Sequence, residues 1–399
     1  MIKFIEFNSK WALYLLVMSF PLGIFLNSFF AITFFLFFFI YFIVGFNSTT
    51  DLKLRYFIIA SIPFFLPFLS AIFSDNFLES KKAIIRATPI LFFSAFSIYR
   101  NNWFKDKIIY TFQFLILGCL LSAFFCWGSI IFDLVSNNIP LTNFLSKQYS
   151  HHKLSSIVGV HTPYLAIFTN SSLIFMMFAY DKINRGLTKK FYHLIFLILV
   201  LFLFHLMARN AIFSFLFSST VYLIWKKKWM SLTLCSTALT FIFLLILTTN
   251  NNLLRDRFIA SVNIFEKETT FSKKDKRFER WSNSINVFKK APIFGVGSGK
   301  IDFFRKNEYL NSLDSEAFNN NYNAHNQYIE YLSTYGLVGL LSFLYLITFI
   351  FKIIVSKKSI FLMILFFSFF LAMTTESFLV RSWGIYFLGF LYITLYSWE

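Results

Sequence analysis

Long apolar runs constrain this chain more than any other feature of its sequence. A helix needs about 20 mostly apolar residues to cross the hydrocarbon core of a bilayer, which is about 30 Å thick. Hydrophobic residues make up 57% of the 399 positions and charged residues only 14%, whereas a soluble protein carries about 25% charged residues. The composition excludes disordered, collagen-like and disulfide-scaffold classes and predicts an all-α, polytopic membrane protein.

Polar interruptions divide the chain into about twelve predicted transmembrane helices. They cover approximately residues 11–27, 29–46, 54–73, 83–99, 108–132, 161–180, 191–207, 211–225, 229–249, 328–351, 359–375 and 380–397. The first run follows a short charged stretch that lacks a small-residue cleavage site, so we expect it to be retained as a span. The predicted domains are 1–249 with nine spans, 250–327 as a large helical loop, and 328–399 with three spans.

The distribution of Lys and Arg predicts the orientation in the membrane. Cytoplasmic connections retain basic residues. One set of alternating connections holds 17 of them, and the short connections of the other set, with their flanking spans, hold seven. We therefore expect both termini in the cytoplasm and the loop 250–327 on the outer face. Most of the net charge of +18 is explained by this asymmetry, so it predicts orientation and membrane-lipid contacts, not a nucleic-acid partner.

The long outer loop contains a helical pattern. Phe278, Trp281, Ile285 and Phe288 recur at helical spacing, and Pro292 ends the run. This pattern predicts an amphipathic helix on the membrane surface or capping the helix bundle. The three alternating glycines that follow predict a tight turn, and the next ten residues predict a second short helix.

Ionisable residues near the outer ends of the spans are candidate functional residues, because charges at membrane depth are costly. The group comprises Arg209, Arg277, Arg280, His325, Glu376 and Arg381. Arginine is a permanently charged, forked donor that suits a diphosphate, and histidine suits proton removal from a hydroxyl. Each residue taken alone also has a plain explanation as an interfacial side chain, a solvated helix face or a helix end. Arg86 begins the fourth span from the same face, where either carrier phosphates or lipid headgroups would meet it.

A metal centre is not expected from this sequence. No Asp-x-Asp motif occurs in the chain. His151, His152 and His161 lie in one outer connection, but carboxylates or cysteines at ligand spacing do not accompany them. These histidines are interpreted as polar loop residues.

Several motifs in the second half of the chain resemble those of a known family. His325-Asn326 is followed by nine residues and then by Gly-x-x-Gly at 336–339. Upstream, residues 277–281 read Arg-Phe-Glu-Arg-Trp and residues 292–299 read Pro-Ile-Phe-Gly-Val-Gly-Ser-Gly. Together with Arg209 before a span, these motifs resemble those of the O-antigen ligase and polymerase superfamily, most strongly over about 205–340.

The resemblance implies a glycosyltransferase of the bacterial inner membrane. It would move a glycan from undecaprenyl diphosphate to an acceptor on the periplasmic face, which in the ligases is lipid A–core, without a metal or cofactor. The family pattern implies catalytic roles for His325, Arg277 and Arg209, with Arg277 placed ahead of Arg280 because of its spacing from Trp281. The residues expected to bind substrate are Arg280, Asn326, Glu376, Arg381 and Arg86.

Other functions remain open at this point. A polymerase that extends the glycan on its carrier, or a ligase that glycosylates protein, would use similar diphosphate-binding and base groups. A polysaccharide flippase is a further alternative, although transporters place functional charges near the midplane and often contain two related halves. Here the informative charges gather on one face, which favours a transferase.

Overall fold

The computed structural model describes residues 2–45, 54–97, 107–180, 187–230, 233 and 276–398. These segments consist of α-helices, short 3₁₀ turns and loops, and no β-strand occurs within them. The predicted all-α fold is therefore confirmed for the part of the chain described. Residues 250–275 of the predicted outer loop and most of the predicted span 229–249 lie outside that part.

The described segments contain seventeen α-helices, numbered here in chain order. They are α1 (Ile2–Ser19), α2 (Ile24–Gly45), α3 (Leu54–Ala60), α4 (Ile62–Ile72), α5 (Phe77–Ala87), α6 (Pro89–Ser94), α7 (Ile108–Ser136), α8 (His152–Ser156), α9 (Thr162–Ala179), α10 (Leu187–His205), α11 (Arg209–Trp225), α12 (Arg277–Lys290), α13 (Ile301–Asn311), α14 (Ser315–Asn320), α15 (Gln327–Ser356), α16 (Ile360–Ala372) and α17 (Ser382–Ser397).

Three of these helices, α7, α9 and α15, are long and apolar enough to cross a membrane, and the bent pair α3–α4 would make a fourth span. The apolar parts of α2 and α16 are shorter. Membrane-capable helices are thus present in the described residues. The count of twelve spans stays a prediction.

Two predicted spans are broken by proline. Helices α3 and α4 meet at 68° within the predicted span 54–73, because Pro63 in the first turn of α4 has no N–H to continue the helical ladder. The predicted span 83–99 is divided between α5 and α6 at Thr88, directly before Pro89. The first of these segments is therefore not the straight helix that its hydrophobicity indicates.

The chain divides into two compact units, 1–115 with 277–399 and 116–276. In the first unit, α1 packs on α2, α6 packs on α17, and α12 contacts both α13 and α15. The Phe20 ring contacts those of Phe387 and Phe390, with centroids 6.2 and 6.0 Å apart. The first unit therefore joins the N-terminal helices to the C-terminal ones.

In the second unit, α9 packs on α10 and α11, and nearly all of its side chains are buried. Asn170 of α9 donates a hydrogen bond to Ser214 Oγ of α11 at 3.1 Å. Trp127 of α7 donates its indole N–H to His205 Nδ1 at 3.0 Å. These bonds satisfy polar groups within an apolar interior. Arg209 is the first residue of α11.

Helix α12 confirms the predicted amphipathic helix, but half of its apolar stripe is exposed, whereas Trp281 and Phe288 are partly buried. The face that it buries is mostly polar and comprises Arg280, Asn283, Ser284 and Val287. Phe278 and Ile285, from the predicted apolar stripe, are 44% and 37% exposed. Exposed apolar side chains such as Phe278 and Ile285 are expected on a helix that rests on a membrane surface.

Candidate functional site

The loop before α15 holds His325 in an unusual backbone conformation. His325 has φ +48°, in the left-handed region that non-glycine residues rarely adopt. Asn326 is the N-cap of α15, and its Oδ1 accepts hydrogen bonds from the backbone N–H groups of Tyr328 and Ile329 at 3.0 and 3.1 Å. The His-Asn motif is therefore a helix start in which Asn326 caps the helix and the histidine side chain stands outside it.

The imidazole of His325 contacts a buried carboxylate. Nδ1 lies 3.1 Å from Glu376 Oε2, and the Glu376 side chain is only 3% exposed. Asn326 N also donates to Ser377 Oγ at 3.1 Å, which fixes the two segments against each other. With a proton on Nδ1 directed at Glu376, the lone pair of Nε2 is available to accept a proton.

A buried ion pair supports the same loop. Arg305 Nη2 lies 2.9 Å from Glu330 Oε1, and Glu330 Oε2 accepts a hydrogen bond from Ala324 N at 2.9 Å. Arg305 and Glu330 are 2% and 5% exposed, and buried charges of this kind must be paired. Sequence reasoning missed this pair, because no local pattern links two residues 25 positions apart.

The two glycine motifs meet in one close backbone crossing. A Cβ on Gly295 would lie 2.2 Å from Thr334 O, and one on Gly336 would lie 2.3 Å from Ile293 O. Both glycines have positive φ, and Gly297 N donates to Thr334 O at 2.9 Å. Since no other residue fits at these contacts, the glycines fix the turn 292–299 against α15. The predicted tight turn is confirmed.

A cavity of about 440 Å³ lies among these elements in the first unit. Its charged lining residues are Glu79, Arg86, Asp302, Arg305, Glu330 and Arg381. Arg86 donates to the backbone carbonyls of Lys82 and Val380 at 3.1 and 3.0 Å. These acceptors are neutral, so they orient the guanidinium without cancelling its charge. Arg86 and Arg381 are both exposed side chains at this cavity.

The guanidinium of Arg280 forms ion pairs with two acidic side chains. Its Nε lies 3.1 Å from Asp314 Oδ2, and its Nη2 lies 3.3 Å from Glu316 Oε2. The guanidinium also stacks on the Tyr322 ring at 4.6 Å, and that ring lies 5.5 Å from the His325 imidazole. Burial, followed by the nearby Glu316, raises the pKa of Tyr322. Through these contacts, Arg280 helps to hold in place the loop that carries His325.

The structure brings together some of the predicted site residues. His325 meets Glu376, and Arg86 and Arg381 line the same cavity. Arg277 is the partly exposed first residue of α12 and is not among the residues lining that cavity in the described first unit. Arg209 belongs to the second unit, at the start of α11.

The three loop histidines form a cluster of their own in the second unit. The ring centroid of His152 lies 3.9 Å from that of His151 and 4.7 Å from that of His161. His152 Nδ1 is also 2.9 Å from Thr162 Oγ1. Among the described residues, no group of three or more His, Cys, Asp or Glu side chains has an arrangement that would hold a metal ion.

The helices and the cavity define a class: an α-helical membrane protein with an arginine-bearing polar cavity and a His–Glu pair on a loop that contributes to the cavity lining. The model of the family described as O-antigen ligase matches residues 194–344. This match confirms the predicted resemblance to the O-antigen ligase-like superfamily. It includes Arg209, Arg277, Arg280 and His325, whereas Arg86, Glu376 and Arg381 lie outside it.

A curated relative matches a shorter part of the chain. It is a protein of Haemophilus influenzae described as uncharacterized, and it is 34% identical over 86 residues. The match covers 22% of this chain and 22% of the relative, so the chain spans about a fifth of that protein's length.

Proposed function

We propose that the chain is a glycosyltransferase of the bacterial inner membrane that transfers a glycan from undecaprenyl diphosphate to lipid A–core. One observation carries the proposal: the loop that bears the paired His325 also contributes to the lining of a cavity that bears Arg86 and Arg381. The loop 321–326 joins the two features, because Asn323 lines the cavity and its Oδ1 accepts a hydrogen bond from His325 N at 2.9 Å. The O-antigen ligase family match supports the same reaction class.

The arginines would stabilise the leaving group. Charge develops on the diphosphate as its bond to the sugar breaks, and fixed cations aimed at that charge lower the barrier. Arg86 and Arg381 are the cavity residues suited to this role. The catalytic roles that the family pattern implies for Arg209 and Arg277 stay predictions. Because the arginines supply the positive charge, we propose a reaction that is independent of metal and cofactor.

His325 would act as the general base. Nε2 takes the proton of the acceptor hydroxyl as its oxygen bonds to the anomeric carbon of the donor sugar. The bond between that carbon and the diphosphate oxygen breaks, and undecaprenyl diphosphate leaves with the electron pair. Glu376 at 3.1 Å from Nδ1 stabilises the imidazolium that forms.

The proposed orientation places this site in the periplasm. The distribution of basic residues supports cytoplasmic termini, and a periplasmic site would receive both the lipid-linked glycan and the lipid A–core acceptor. Membrane lipids would surround the apolar helices.

A deletion strain tests the reaction type. Loss of the protein should abolish glycan-capped lipid A–core while long carrier-linked chains persist, visible by electrophoresis of lipopolysaccharide. Carrier lipids bearing only single repeat units would instead show a polymerase. Loss of glycosylated proteins with normal lipopolysaccharide would show a protein-directed ligase. Either of the last two results would contradict the proposed acceptor.

A further inference from the structure

A second pocket lies between membrane-capable parts of the first unit. It measures about 520 Å³, and its walls are formed by α4, the turn 292–299 and the α15 residues Tyr335 and Val338. Helix α15 and the bent pair α3–α4 are long and apolar enough to cross a membrane. Phe73 and Phe294 line the pocket and are 85% and 74% exposed. The pocket therefore lies where membrane lipids would reach it.

The lining of this pocket suits an alkyl chain. Its two serines are already bonded within the protein, because Ser70 Oγ accepts a hydrogen bond from Ser298 N at 2.9 Å and Ser74 Oγ accepts one from Asn76 N at 3.2 Å. Most of the remaining lining is apolar, and such surface gains free energy when a chain covers it. An occupant of this part needs no hydrogen-bonding groups of its own.

Two opposite charges stand at the same pocket. Lys300 lines it, and Lys300 Nζ forms an ion pair with the carboxylate of Asp75. The two side chains are 43% and 83% exposed, so both remain accessible. The hydrogen bond from Lys300, followed by its charge, lowers the pKa of Asp75, so the carboxylate is ionised at neutral pH. A neutral pair of this kind favours a headgroup with both signs of charge, because Asp75 would repel a purely anionic one.

We infer that this pocket binds a phospholipid whose headgroup carries a phosphate and a primary ammonium. One acyl chain covers the apolar lining, the phosphate contacts Lys300, and the ammonium donates hydrogen bonds to Asp75. A quaternary ammonium has no N–H to donate, so a choline headgroup fits less well. This lipid is neither donor nor acceptor of a glycan, so the inference goes beyond the proposed function.

Native mass spectrometry of the full-length protein, titrated with phosphatidylethanolamine, tests where the lipid binds. Val338→Trp places a large side chain in the pocket and should weaken the tightest binding event at least about tenfold, because excluding two methylenes from an apolar site already has this effect. The matched control is Leu341→Trp. Leu341 is 61% exposed on the same helix and is not among the described residues that line the pocket, so binding should be unchanged. Equal weakening in both variants would overturn the inference.

Titrations with other lipids test the headgroup. The wild type should bind phosphatidylethanolamine about two- to fivefold more tightly than phosphatidylcholine or phosphatidylglycerol, the range expected for an exposed charge pair. Asp75→Asn should remove this preference. Glu6→Gln is the matched control, because Glu6 forms an ion pair with Lys10 on α1, and this variant should keep the preference.

Three further results would contradict the inference. They are equal affinity of the wild type for the three phospholipids, tightest binding of phosphatidylglycerol, and displacement of phosphatidylethanolamine by an equimolar amount of undecaprenyl phosphate. The last result would show that the pocket holds a polyprenyl chain. Since these measurements need no glycan transfer, their outcome is independent of the proposed activity.

Discussion

At the scale of single residues, the backbone around His325 determines where its imidazole lies. His325 adopts a left-handed conformation, Asn326 caps α15, and Glu376 meets Nδ1 at 3.1 Å. A strained backbone conformation persists only where contacts around the residue hold it in place, and residues of this kind cluster at functional sites. The motif that starts the helix therefore also orients the proposed base.

Changing Glu376 to Gln tests the role of its charge. The amide keeps the size of the side chain but no longer stabilises an imidazolium at His325. General acid–base catalysis contributes about 10²- to 10⁴-fold, so we expect kcat for glycan transfer to fall at least about tenfold with little change in KM. Steady-state kinetics in nanodiscs provide the measurement.

The matched control for that change is Glu308→Gln. Glu308 is also buried and paired, but with Lys290 at 2.6 Å. We expect the kcat of the Glu308→Gln variant to match that of the wild type. Equal rates in Glu376→Gln and the wild type would show that His325 acts without Glu376.

Changing Glu330 to Gln should destabilise the protein. Arg305 would keep a buried charge without its partner, and breaking a buried ion pair costs about 3–5 kcal/mol. We expect a lower thermal midpoint by scanning fluorimetry. The double variant Arg305→Met with Glu330→Leu should recover much of the loss, because it buries no lone charge. A double variant as unstable as Glu330→Gln would refute this explanation.

At the scale of elements, the position of the turn 292–299 depends on one backbone crossing. Gly295 and Gly336 face each other's backbone, and hydrogen bonds from Gly297 N to Thr334 O and from Leu337 N to Pro292 O join the two segments. The spacing of the two glycine motifs in sequence gives no indication that they touch. Their contact fixes one wall of the site, because Thr334 and Ser298 both line the cavity.

Gly336→Ala should disrupt this crossing. Its Cβ would lie 2.3 Å from Ile293 O at a residue with φ +67°, so the backbone of the turn must move. We expect a lower thermal midpoint and loss of transfer activity. Gly128→Ala is the matched control, since no atom lies within 4 Å of its Cβ, and replacing a helical glycine stabilises by about 0.5–1 kcal/mol. A Gly336→Ala protein as stable and active as the control would refute the role of the crossing.

The sequence predicts some elements well and others poorly, for physical reasons. Helical spacing correctly predicts α12 and α13, because their periodicity is local. It does not show that α12 buries Arg280 and exposes Ile285, since the protein surface under that helix is itself polar. Hydropathy also misses the break at Ser61, because Pro63 adds little polarity while removing a backbone donor. The Arg305–Glu330 pair depends on tertiary contacts that no sequence spacing encodes.

At the scale of the whole molecule, the net charge of +18 separates into contributions with different roles. Most of it lies in connections predicted to be cytoplasmic, where it sets orientation. The arginines proposed to act in the reaction belong to the smaller part that is predicted to face outward. Of these, Arg86 and Arg381 line the cavity and Arg280 braces the loop of His325. Net charge alone therefore predicts topology, whereas the anion-binding role depends on where individual arginines lie.

Glycan transfer by the purified protein tests the central claim most directly. In nanodiscs supplied with an undecaprenyl diphosphate-linked glycan and lipid A–core, and without nucleotide, the wild type should produce glycan-capped lipid A–core. His325→Ala and Arg277→Ala should produce none, Arg280→Ala should be less impaired, and the control His193→Ala on α10 should match the wild type. Full activity in His325→Ala, or movement of the lipid-linked glycan across the bilayer without any capped product, would contradict this account.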